Sequence, residues 1–318
     1  MRLAILGATS MLAADFVAHS LAQGASHEFA LFARTPDRIR AAMADREITA
    51  VPPCGPLKSF AEGSWDAIVN FVGVGDPARA VEMGASILAI TREWDDRVLA
   101  YLEAHPDCRY IFLSSGAAFA EGVSEPVDRD TRASFPINAL PPTAFYGIAK
   151  FYAEAVHRAR PARSIIDIRV FNYLSAQADL AHRFLVTEAI TAIRDGRVLK
   201  VDAHDMWRDY LGVEDFAALL NACLAAPSGY NGPVDAYSLS PISKQQMLEL
   251  LRDQFGLMFE VAGGGVDATG RKSNYFSRNR VAEALGYRPS SDSAETIRLV
   301  SQQILSRQRP SDAIKHLG

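Results

Sequence analysis

The chain has 318 residues, of which 49% are hydrophobic and 22% charged, and its 33 Lys and Arg against 37 Asp and Glu give a formal net charge of -4. At roughly 150 residues per domain, this length predicts about two structural units. The composition is typical of a globular protein and excludes collagen-like, coiled-coil and mainly disordered architectures, and the absence of excess positive charge argues against a nucleic-acid partner.

Patterns for targeting and for metal binding are missing from the sequence. The cysteines, Cys54, Cys108 and Cys223, lie far apart and form no CxxC pair, which predicts a reducing compartment. There is no HExxH motif and no Cys/His cluster with zinc spacing, and no run approaches the roughly 18 apolar residues that cross a membrane. We therefore expect a cytoplasmic protein with neither a metal site nor a membrane partner.

Short apolar runs alternate with amphipathic segments through the first half of the chain, which is the pattern of strands joined by helices in a parallel sheet. Pro142 and Thr143 give one helix a rigid start and an N-cap, and Pro161 ends it. After residue 172 the pattern loosens, which predicts a smaller lobe interwoven with the first. The predicted strands cover residues 3–6, 29–32, 67–72, 110–113 and 165–170, and the predicted helices cover 11–22, a segment opening at 35–37, one after 76–77, one ending near 104, and 143–161.

A stretch of small residues follows the first predicted strand and opens the first predicted helix. Free backbone N–H groups and the helix dipole at such a position favour a pyrophosphate. The spacing is that of a GxxGxxG motif in which Ser10 and Ala13 replace the second and third glycines, so an ordinary tight turn stays open as the alternative. The candidate cofactor-binding residues here are Gly7, Thr9, Ser10, Met11 and Leu12.

The end of the second predicted strand distinguishes two dinucleotides. An acidic side chain there binds the ribose hydroxyl of NAD, whereas an arginine pairs with the 2'-phosphate of NADP. The sequence has Ala33, Arg34 and Thr35 at this place, and a guanidinium can fork onto a phosphate. This favours NADP with Arg34 as a ligand; NAD, with Arg34 as a solvated residue at a helix start, is the alternative.

Tyr146 and Lys150 lie four residues apart within one predicted helix, so both project from the same face. A nearby ammonium favours the phenolate, and we expect it to lower the pKa of Tyr146 from about 10 toward the range of proton exchange at neutral pH. The pair is therefore a candidate catalytic site, and a pair on the helix surface is the alternative.

Together with further segments, these residues resemble the extended short-chain dehydrogenase/reductases that act on nucleotide sugars, the NAD-dependent epimerase/dehydratase family. The resemblance spans residues 3 to about 290. The segments that carry it are the turn at Gly7, FLSS at 112–115, YGIAK at 146–150, IRVFN at 168–172, RDYLGVED at 208–215, Arg271, and ALGYRP at 284–289.

The resemblance implies an α/β fold with two interwoven parts. A Rossmann-type, doubly wound parallel sheet takes residues 1–172 plus about 207–235, and a smaller C-terminal substrate-binding lobe takes about 173–206 plus 236–318. It also implies a homodimer through the helices that end near Ala104 and Arg158, although packing of these helices within one chain fits equally well.

The same resemblance implies the roles of further residues. In the catalytic set, Tyr146 delivers a proton to the sugar oxygen, Ser115 hydrogen-bonds that oxygen, and Lys150 supports Tyr146 and holds the nicotinamide ribose. The helix-borne Asn of the family's proton relay has no clear match near Thr91. The other residues implied are Val72, Gly73, Ser114 and Lys150 for the cofactor, and Asn172, Arg208 and Arg271 for the diphosphate of a nucleotide-sugar substrate.

Differences from the sequence patterns of the family's subgroups reduce the number of reactions that the resemblance implies. The family's dehydratases carry an acid directly after the active-site Ser or Thr, and its 3,5-epimerase/reductases carry a cysteine there, whereas Gly116 follows Ser115 in this chain. Because Arg34 favours NADP, we expect an NADPH-dependent reductase of a nucleoside-diphosphate 4-keto-6-deoxy hexose. The alternatives are an NAD-dependent nucleotide-sugar 4-epimerase and a non-catalytic NADP-binding redox sensor.

Overall fold

The computed structural model of the protein describes residues 1–24, 26–74, 77–120, 125–181, 184–261 and 273–307. Its strands are β1 (Arg2–Leu6), β2 (Glu28–Ala33), β3 (Cys54–Pro56), β4 (Ala67–Asn70), β5 (Arg109–Ser115), β6 (Ile165–Val170), β7 (Asn172–Tyr173), β8 (Leu199–Val201), β9 (Trp207–Arg208), β10 (Tyr210–Leu211), β11 (Asn231–Asp235), β12 (Ile242–Ser243), β13 (Phe259–Val261) and β14 (Asn274–Tyr275). Its helices are α1 (Met11–Ala22), α2 (Asp37–Ala44), α3 (Pro77–Met83), α4 (Ser86–Ala104), α5 (Ala144–Arg158), α6 (Leu185–Asp195), α7 (Val213–Leu224), α8 (Lys244–Phe255) and α9 (Ser293–Arg307).

A seven-stranded parallel sheet organises the first part of the chain, in the order β11-β6-β5-β4-β1-β2-β3. The predicted α/β fold with a doubly wound parallel sheet is confirmed. The edge strand β3 escapes sequence analysis because Cys54–Pro56 contains a glycine and a proline and has no apolar run. The strand order reverses at β1, between β2 and β4, and in such sheets ligands bind beyond the carboxyl ends of the strands at the point of reversal.

Helix boundaries follow local signals closely at α1 and less so at α5. The Ser10 hydroxyl caps α1 by accepting a hydrogen bond from the amide of Ala13 at 3.3 Å. Helix α5 begins at Ala144, directly after Thr143 as expected. The expected cap is wrong, because Thr143 already has helical backbone angles (φ -65°, ψ -24°) and its side chain makes no capping hydrogen bond.

Alternating side chains of the strands fill two apolar layers, one on each face of the sheet. Leu3 and Ile5 of β1 point into the layer that packs on α1 and α7, whereas Ala4 and Leu6 point into the layer that packs on α4 and α5. No helix in the described ranges combines the length and the apolar character needed to cross a membrane.

A second apolar core lies outside the sheet and joins α6, α8 and α9. Ile190, Leu251 and Ile297, one from each helix, are fully buried in it. The chain enters this core after β6, returns to the sheet at β11, and leaves again. The residue limits of a separate substrate-binding lobe stay a prediction, since Ala282 and Tyr287 pack in the core of the sheet.

Arg109, the first residue of β5, ties the sheet to the end of α7. Its buried guanidinium donates hydrogen bonds to four carbonyl groups, those of Cys223, Leu224, Ala226 and Pro227. These groups belong to the last turn of α7 and the residues after it, where the helix leaves carbonyls unpaired and its dipole favours a cation. The side chain therefore acts as a buried C-terminal cap.

We expect Arg109→Met to lower the free energy of unfolding by about 3 kcal/mol, because each hydrogen bond from a charged donor contributes about 1.5–3 kcal/mol and four buried carbonyls lose their partner. Urea denaturation measures the difference. The control is Arg92→Met, which removes a guanidinium that is 67% exposed and paired with Asp96 on α4, and its effect should stay within about 0.5 kcal/mol. Equal effects of the two substitutions would contradict the capping role.

Candidate functional site

The turn after β1 packs directly against the residues that follow β4. Gly7 has a positive φ of 75°, and a Cβ atom there would lie 2.9 Å from the Phe71 carbonyl carbon and from the Val72 amide nitrogen. The amides of Gly7 and Ala8 donate to the Phe32 carbonyl of β2 at 2.9 and 3.1 Å. A glycine is therefore required at this position, both by conformation and by space.

The first turn of α1 opens at the same place. Its N–H groups have no acceptor within the helix, and the Ser10 hydroxyl serves one of them, that of Ala13. The amides of Met11 and Leu12 belong to this turn, and the side chain of Thr9 is exposed beside it. The tight glycine turn followed by a helix N-terminus fits the pyrophosphate of a dinucleotide.

Arg34 and Thr35 are exposed directly after Ala33, the last residue of β2. They follow Phe32, whose carbonyl anchors the Gly7 turn. The structure thus places the guanidinium at the strand end where a dinucleotide's adenosine ribose is recognised in this fold. The use of NADP stays a prediction.

Val72 and Gly73 lie between the Gly7 turn and Lys150. A Cβ atom on Gly73 would be 3.6 Å from the Lys150 Nζ atom. That Nζ atom donates to the Leu113 carbonyl at 2.6 Å and lies 4.4 Å from the centre of the Phe112 ring. Residues predicted from distant parts of the chain are therefore brought together at one edge of the sheet.

Ser115 and Tyr146 meet where β5 ends and α5 begins. The Ser115 hydroxyl lies near enough to the phenol to lower its pKa, and the Lys150 Nζ atom lies 5.8 Å from the centre of the Tyr146 ring. Gly147 permits this approach, because a Cβ atom there would be 2.4 Å from the Ala117 carbonyl oxygen. The three predicted catalytic residues thus form one cluster.

The expected lowering of the pKa of Tyr146 is wrong for the protein without ligands. Burial raises the pKa of Tyr146, and the hydrogen bond with Ser115 opposes this only in part. The ammonium of Lys150 is directed at the Leu113 carbonyl and not at the phenol oxygen. The phenol is therefore protonated at neutral pH and is ready to donate.

Tyr275 is a component of the site that sequence analysis missed. Its hydroxyl lies 3.4 Å from the Ser115 Oγ atom, and burial raises its pKa to about 12. Its ring packs on Phe171, with the ring centres 5.2 Å apart. No motif marks this residue, because strand β14 reaches the site only through the packing of the C-terminal part on the sheet.

Two of the residues expected to bind the diphosphate, Asn172 and Arg208, lie beside Tyr275, but both make hydrogen bonds to the protein. Asn172 donates from Nδ2 to the carbonyls of Asp209 and Tyr275 at 3.2 and 3.3 Å. Arg208 is 5% exposed and donates to the Trp207 carbonyl at 2.9 Å. Arg271 lies outside the described residues, and the substrate role of all three stays a prediction.

Ser114 differs from its neighbour in the direction of its side chain. Its hydroxyl donates to Glu154 at 2.5 Å on the face of the sheet that packs on α5. Glu154 also accepts three hydrogen bonds from Arg169, the closest at 2.6 Å. Glu154 continues the four-residue spacing of Tyr146 and Lys150 along α5, which is the one sequence signal that could have identified it.

Comparison with known proteins agrees with this arrangement. A model of the NAD dependent epimerase/dehydratase family matches residues 3–240. No curated protein sequence matches the chain at a significant level.

Solved structures of the same fold share little sequence with the chain. UDP-glucose 4-epimerase of Thermotoga maritima is 14% identical with a TM-score of 0.77, and the match covers 96% of this chain and 99% of that one. UDP-glucose 4-epimerase of Bifidobacterium longum, in complex with NAD+ and UDP, is 15% identical with a TM-score of 0.75 and coverage of 97% and 99%. The UDP-Glc/GlcNAc 4-epimerase of Campylobacter jejuni is 17% identical with a TM-score of 0.76 and coverage of 96% and 98%. The TM-scores show that these proteins share the fold of this chain, and at identities this low the similarity shows the fold alone.

The buried ammonium of Lys150 carries a cost in stability that depends on pH. Burial lowers its pKa from 10.5 to about 8, although Asp95 and Glu154 act in the opposite direction. This difference corresponds to about 3 kcal/mol in favour of the neutral amine. The cost is fully present below pH 8 and disappears as the pH rises through 10.5, the value in the unfolded chain.

We therefore expect Lys150→Met to raise the free energy of unfolding at pH 7 by up to about 3 kcal/mol and to lose this advantage by about pH 10. Urea denaturation of variant and parent at both pH values measures the gap. Lys200→Met, at an exposed position of β8, is the control and should show no gap at either pH. A variant less stable than the parent at pH 7 would refute the cost assigned to the ammonium.

Proposed function

Because the chain belongs to the NAD dependent epimerase/dehydratase family, we propose that it interconverts nucleotide sugars by hydride chemistry at one sugar carbon. It is an NAD(P)-dependent enzyme of the extended short-chain dehydrogenase/reductase type. The observation that carries the proposal is the convergence of Ser115, Tyr146 and Lys150 beside the Gly7 turn. The first candidate reaction is 4-epimerisation.

The residues of the sheet edge hold the cofactor in this proposal. The Gly7 turn and the first amides of α1 take the pyrophosphate, and the Val72 and Gly73 backbone forms the floor next to Lys150. A nicotinamide bound there would supply reversible hydride transfer at the sugar carbon.

The protein's own groups move the proton. In this proposal the Tyr146 phenolate takes the proton of the sugar hydroxyl as the carbon is oxidised, and the Tyr146 hydroxyl returns that proton when the carbon is reduced. The Ser115 hydroxyl hydrogen-bonds the same oxygen as charge develops. Lys150 is positively charged below its pKa of about 8, so its field stabilises the phenolate that Tyr146 becomes after giving up its proton.

The structural relatives favour 4-epimerisation over net reduction. The solved structures compared above are 4-epimerases that match this chain over at least 96% of its length. We infer that the substrate is a UDP-sugar or a related nucleotide sugar, with its diphosphate bound by Asn172, Arg208 and Arg271 and its reacting sugar carbon next to Ser115 and Tyr146. The second apolar core, formed by α6, α8 and α9, would then belong to the substrate-binding lobe.

A second candidate, reduction of a nucleoside-diphosphate 4-keto sugar by NADPH, is favoured by two observations. Arg34 stands exposed at the end of β2, where a 2'-phosphate would be bound. The raised pKa of Tyr146 suits proton donation to a carbonyl oxygen, which is the one proton step that reduction requires. The dinucleotide that the protein carries separates the two candidates, because an internal cycle keeps NAD bound whereas net reduction exchanges NADPH.

We expect purified protein to release NAD on heat extraction in close to one equivalent per chain, measured by chromatography. Fractional or exchangeable NADP would contradict the epimerase proposal and favour the reductase.

If the protein uses NADP, Arg34→Gln should weaken NADP+ binding by at least about 10-fold in calorimetry, since it removes a bidentate charge pair, and should leave NAD+ binding unchanged. Arg92→Gln is the matched control on an exposed helix face.

The catalytic role of Tyr146 predicts the effect of removing its hydroxyl. Tyr146→Phe should lower turnover of UDP-glucose and UDP-N-acetylglucosamine by about 100-fold to 10,000-fold, as for the loss of a general acid, while the dinucleotide content stays the same. Chromatography of the epimeric products measures the rate. Tyr152→Phe, on an exposed side chain of the same helix, should be fully active, and full activity of Tyr146→Phe would exclude the mechanism.

A further inference from the structure

A chain of buried hydrogen bonds begins at the loop that follows β4. The Oδ1 atom of Asn70 accepts from the Val72 amide at 2.9 Å, and its Nδ2 group donates to the Tyr110 hydroxyl at 2.9 Å. That hydroxyl donates in turn to the Asp95 carboxylate on α4 at 2.8 Å. Asn70, Tyr110 and Asp95 are each no more than 2% exposed. The chain therefore crosses from the end of one strand, through its neighbour, to a helix.

The far end of this chain is fixed by charge. His157 of α5 is fully buried and contacts Asp95 through Nε2 at 2.8 Å and Asp167 through Nδ1 at 2.6 Å. Burial alone would lower the pKa of His157, but Asp167 and Asp95 outweigh it and raise the pKa to about 9. The imidazolium thus donates from both nitrogens at neutral pH, and Arg158 donates to the second oxygen of Asp167 at 2.7 Å. The Asn70, Tyr110, Asp95 and His157 side chains are thus each hydrogen-bonded within the interior, and buried networks whose members are paired in this way are rigid.

The near end of the chain lies where the cofactor is expected. Val72 packs against the Gly7 turn. The contact is so close that a Cβ atom on Gly7 would lie 2.9 Å from the Val72 amide nitrogen. Gly73, the next residue, faces the Nζ atom of Lys150. A shift of this backbone would disturb the phosphate turn on one side and the catalytic lysine on the other.

The Tyr110 hydroxyl has no role in filling the core. The ring contacts of Tyr110 with Phe112 and His157 would remain in a phenylalanine, and burying a hydroxyl costs free energy unless it is hydrogen-bonded. Only a group that accepts from Asn70 and donates to Asp95 at the same time can join the two. The hydroxyl therefore connects the loop to the charged anchor.

We propose that Asn70 and Tyr110 are positioning residues of the dinucleotide site, which fix the backbone of Val72 and Gly73 between the Gly7 turn and Lys150. The inference rests on the proposed function for the presence of a dinucleotide at this edge. The holding of the loop does not depend on which reaction the protein catalyses.

The protein contains a second buried tyrosine that serves as a closely matched control. Tyr101 of α4 belongs to the same apolar layer as Tyr110. Its hydroxyl donates to the Gly63 carbonyl at 2.9 Å and accepts from the Trp65 amide at 3.2 Å. These residues lie just before β4, whereas Tyr110 acts on the residues just after it. Each Tyr→Phe substitution thus deletes one buried hydroxyl at an opposite end of the same strand.

The first measurement is hydrogen–deuterium exchange of the full-length protein without ligand. In Tyr110→Phe we expect the segment that contains Val72 and Gly73 to exchange about 10-fold faster, which corresponds to the loss of about one hydrogen bond. Tyr101→Phe should leave that segment unchanged and loosen the residues before β4 instead. Asn70→Leu, which cuts the link at the loop itself, should reproduce the effect of Tyr110→Phe.

The second measurement is the dissociation constant for NAD+ and NADP+ by calorimetry. We expect it to rise about 10-fold in Tyr110→Phe and to stay unchanged in Tyr101→Phe, although each variant loses the two hydrogen bonds of one hydroxyl and a similar amount of thermal stability. A purely structural role would affect stability alone.

Unchanged exchange at Val72 and Gly73 in Tyr110→Phe, or equal loosening by both substitutions, would overturn the inference. If the parent protein bound neither dinucleotide, the proposed function would fail, while faster exchange in Tyr110→Phe alone would still support the positioning of the loop. The two ideas can therefore fail separately.

Discussion

Burial of one ammonium group, that of Lys150, is the constraint around which the site is arranged. A charged amine in a low-dielectric interior is unfavourable unless dipoles and opposite charges surround it. Here the Leu113 carbonyl accepts its hydrogen bond, the Phe112 ring faces it, and Asp95, Glu154 and Asp167 act on it from a distance. The cost that remains is visible in a pKa lowered to about 8, and it keeps the group close to its protonation midpoint near neutral pH.

The acidic groups that support Lys150 need partners of their own, and these partners extend through the sheet. Glu154 is held by Arg169 and by the Ser114 hydroxyl. Asp95 is held by the Tyr110 hydroxyl and by His157. Because an unpaired buried charge is costly, the burial of the Lys150 ammonium requires a network that reaches from α4 across β5 to α5. The same network ends at the loop after β4, so the phosphate turn and the lysine share one support.

The C-terminal part of the chain completes the site from outside the sheet. The Tyr275 hydroxyl lies close to Ser115. The Tyr275 carbonyl accepts a hydrogen bond from Asn172 of β7, the short strand that follows β6. Two residues further on, the Ser277 hydroxyl donates to Asp235 of β11 at 2.5 Å, and Asp235 also lies 3.5 Å from Arg169. Strand β14 is thus fastened to the sheet next to the residues that hold Glu154, which couples the position of Tyr275 to that of α5.

Local signals were sufficient for most of the fold and for half of the site. Apolar runs predicted β1, β2, β4, β5 and β6 within a few residues, because strands buried on both faces must be continuously apolar. The Gly7 turn and the four-residue spacing of Tyr146 and Lys150 were readable because a tight turn and a helix face are set by neighbours in the chain. The edge strand β3 left no signal, since its short backbone pairing needs no apolar side chains.

The sequence by itself determined the family and the parallel sheet, and it predicted which residues bind a pyrophosphate and exchange a proton. Only the tertiary structure decided how these groups behave. It set the direction in which the pKa of Tyr146 shifts, because burial raises this pKa although a lysine lies one helical turn away. It also brought Tyr275 to Ser115 and joined Asn70 to His157 through Tyr110 and Asp95, contacts between residues far apart in the chain. Spacing along a sequence fixes which side chains share a face, but desolvation and long-range contacts depend on what packs against that face.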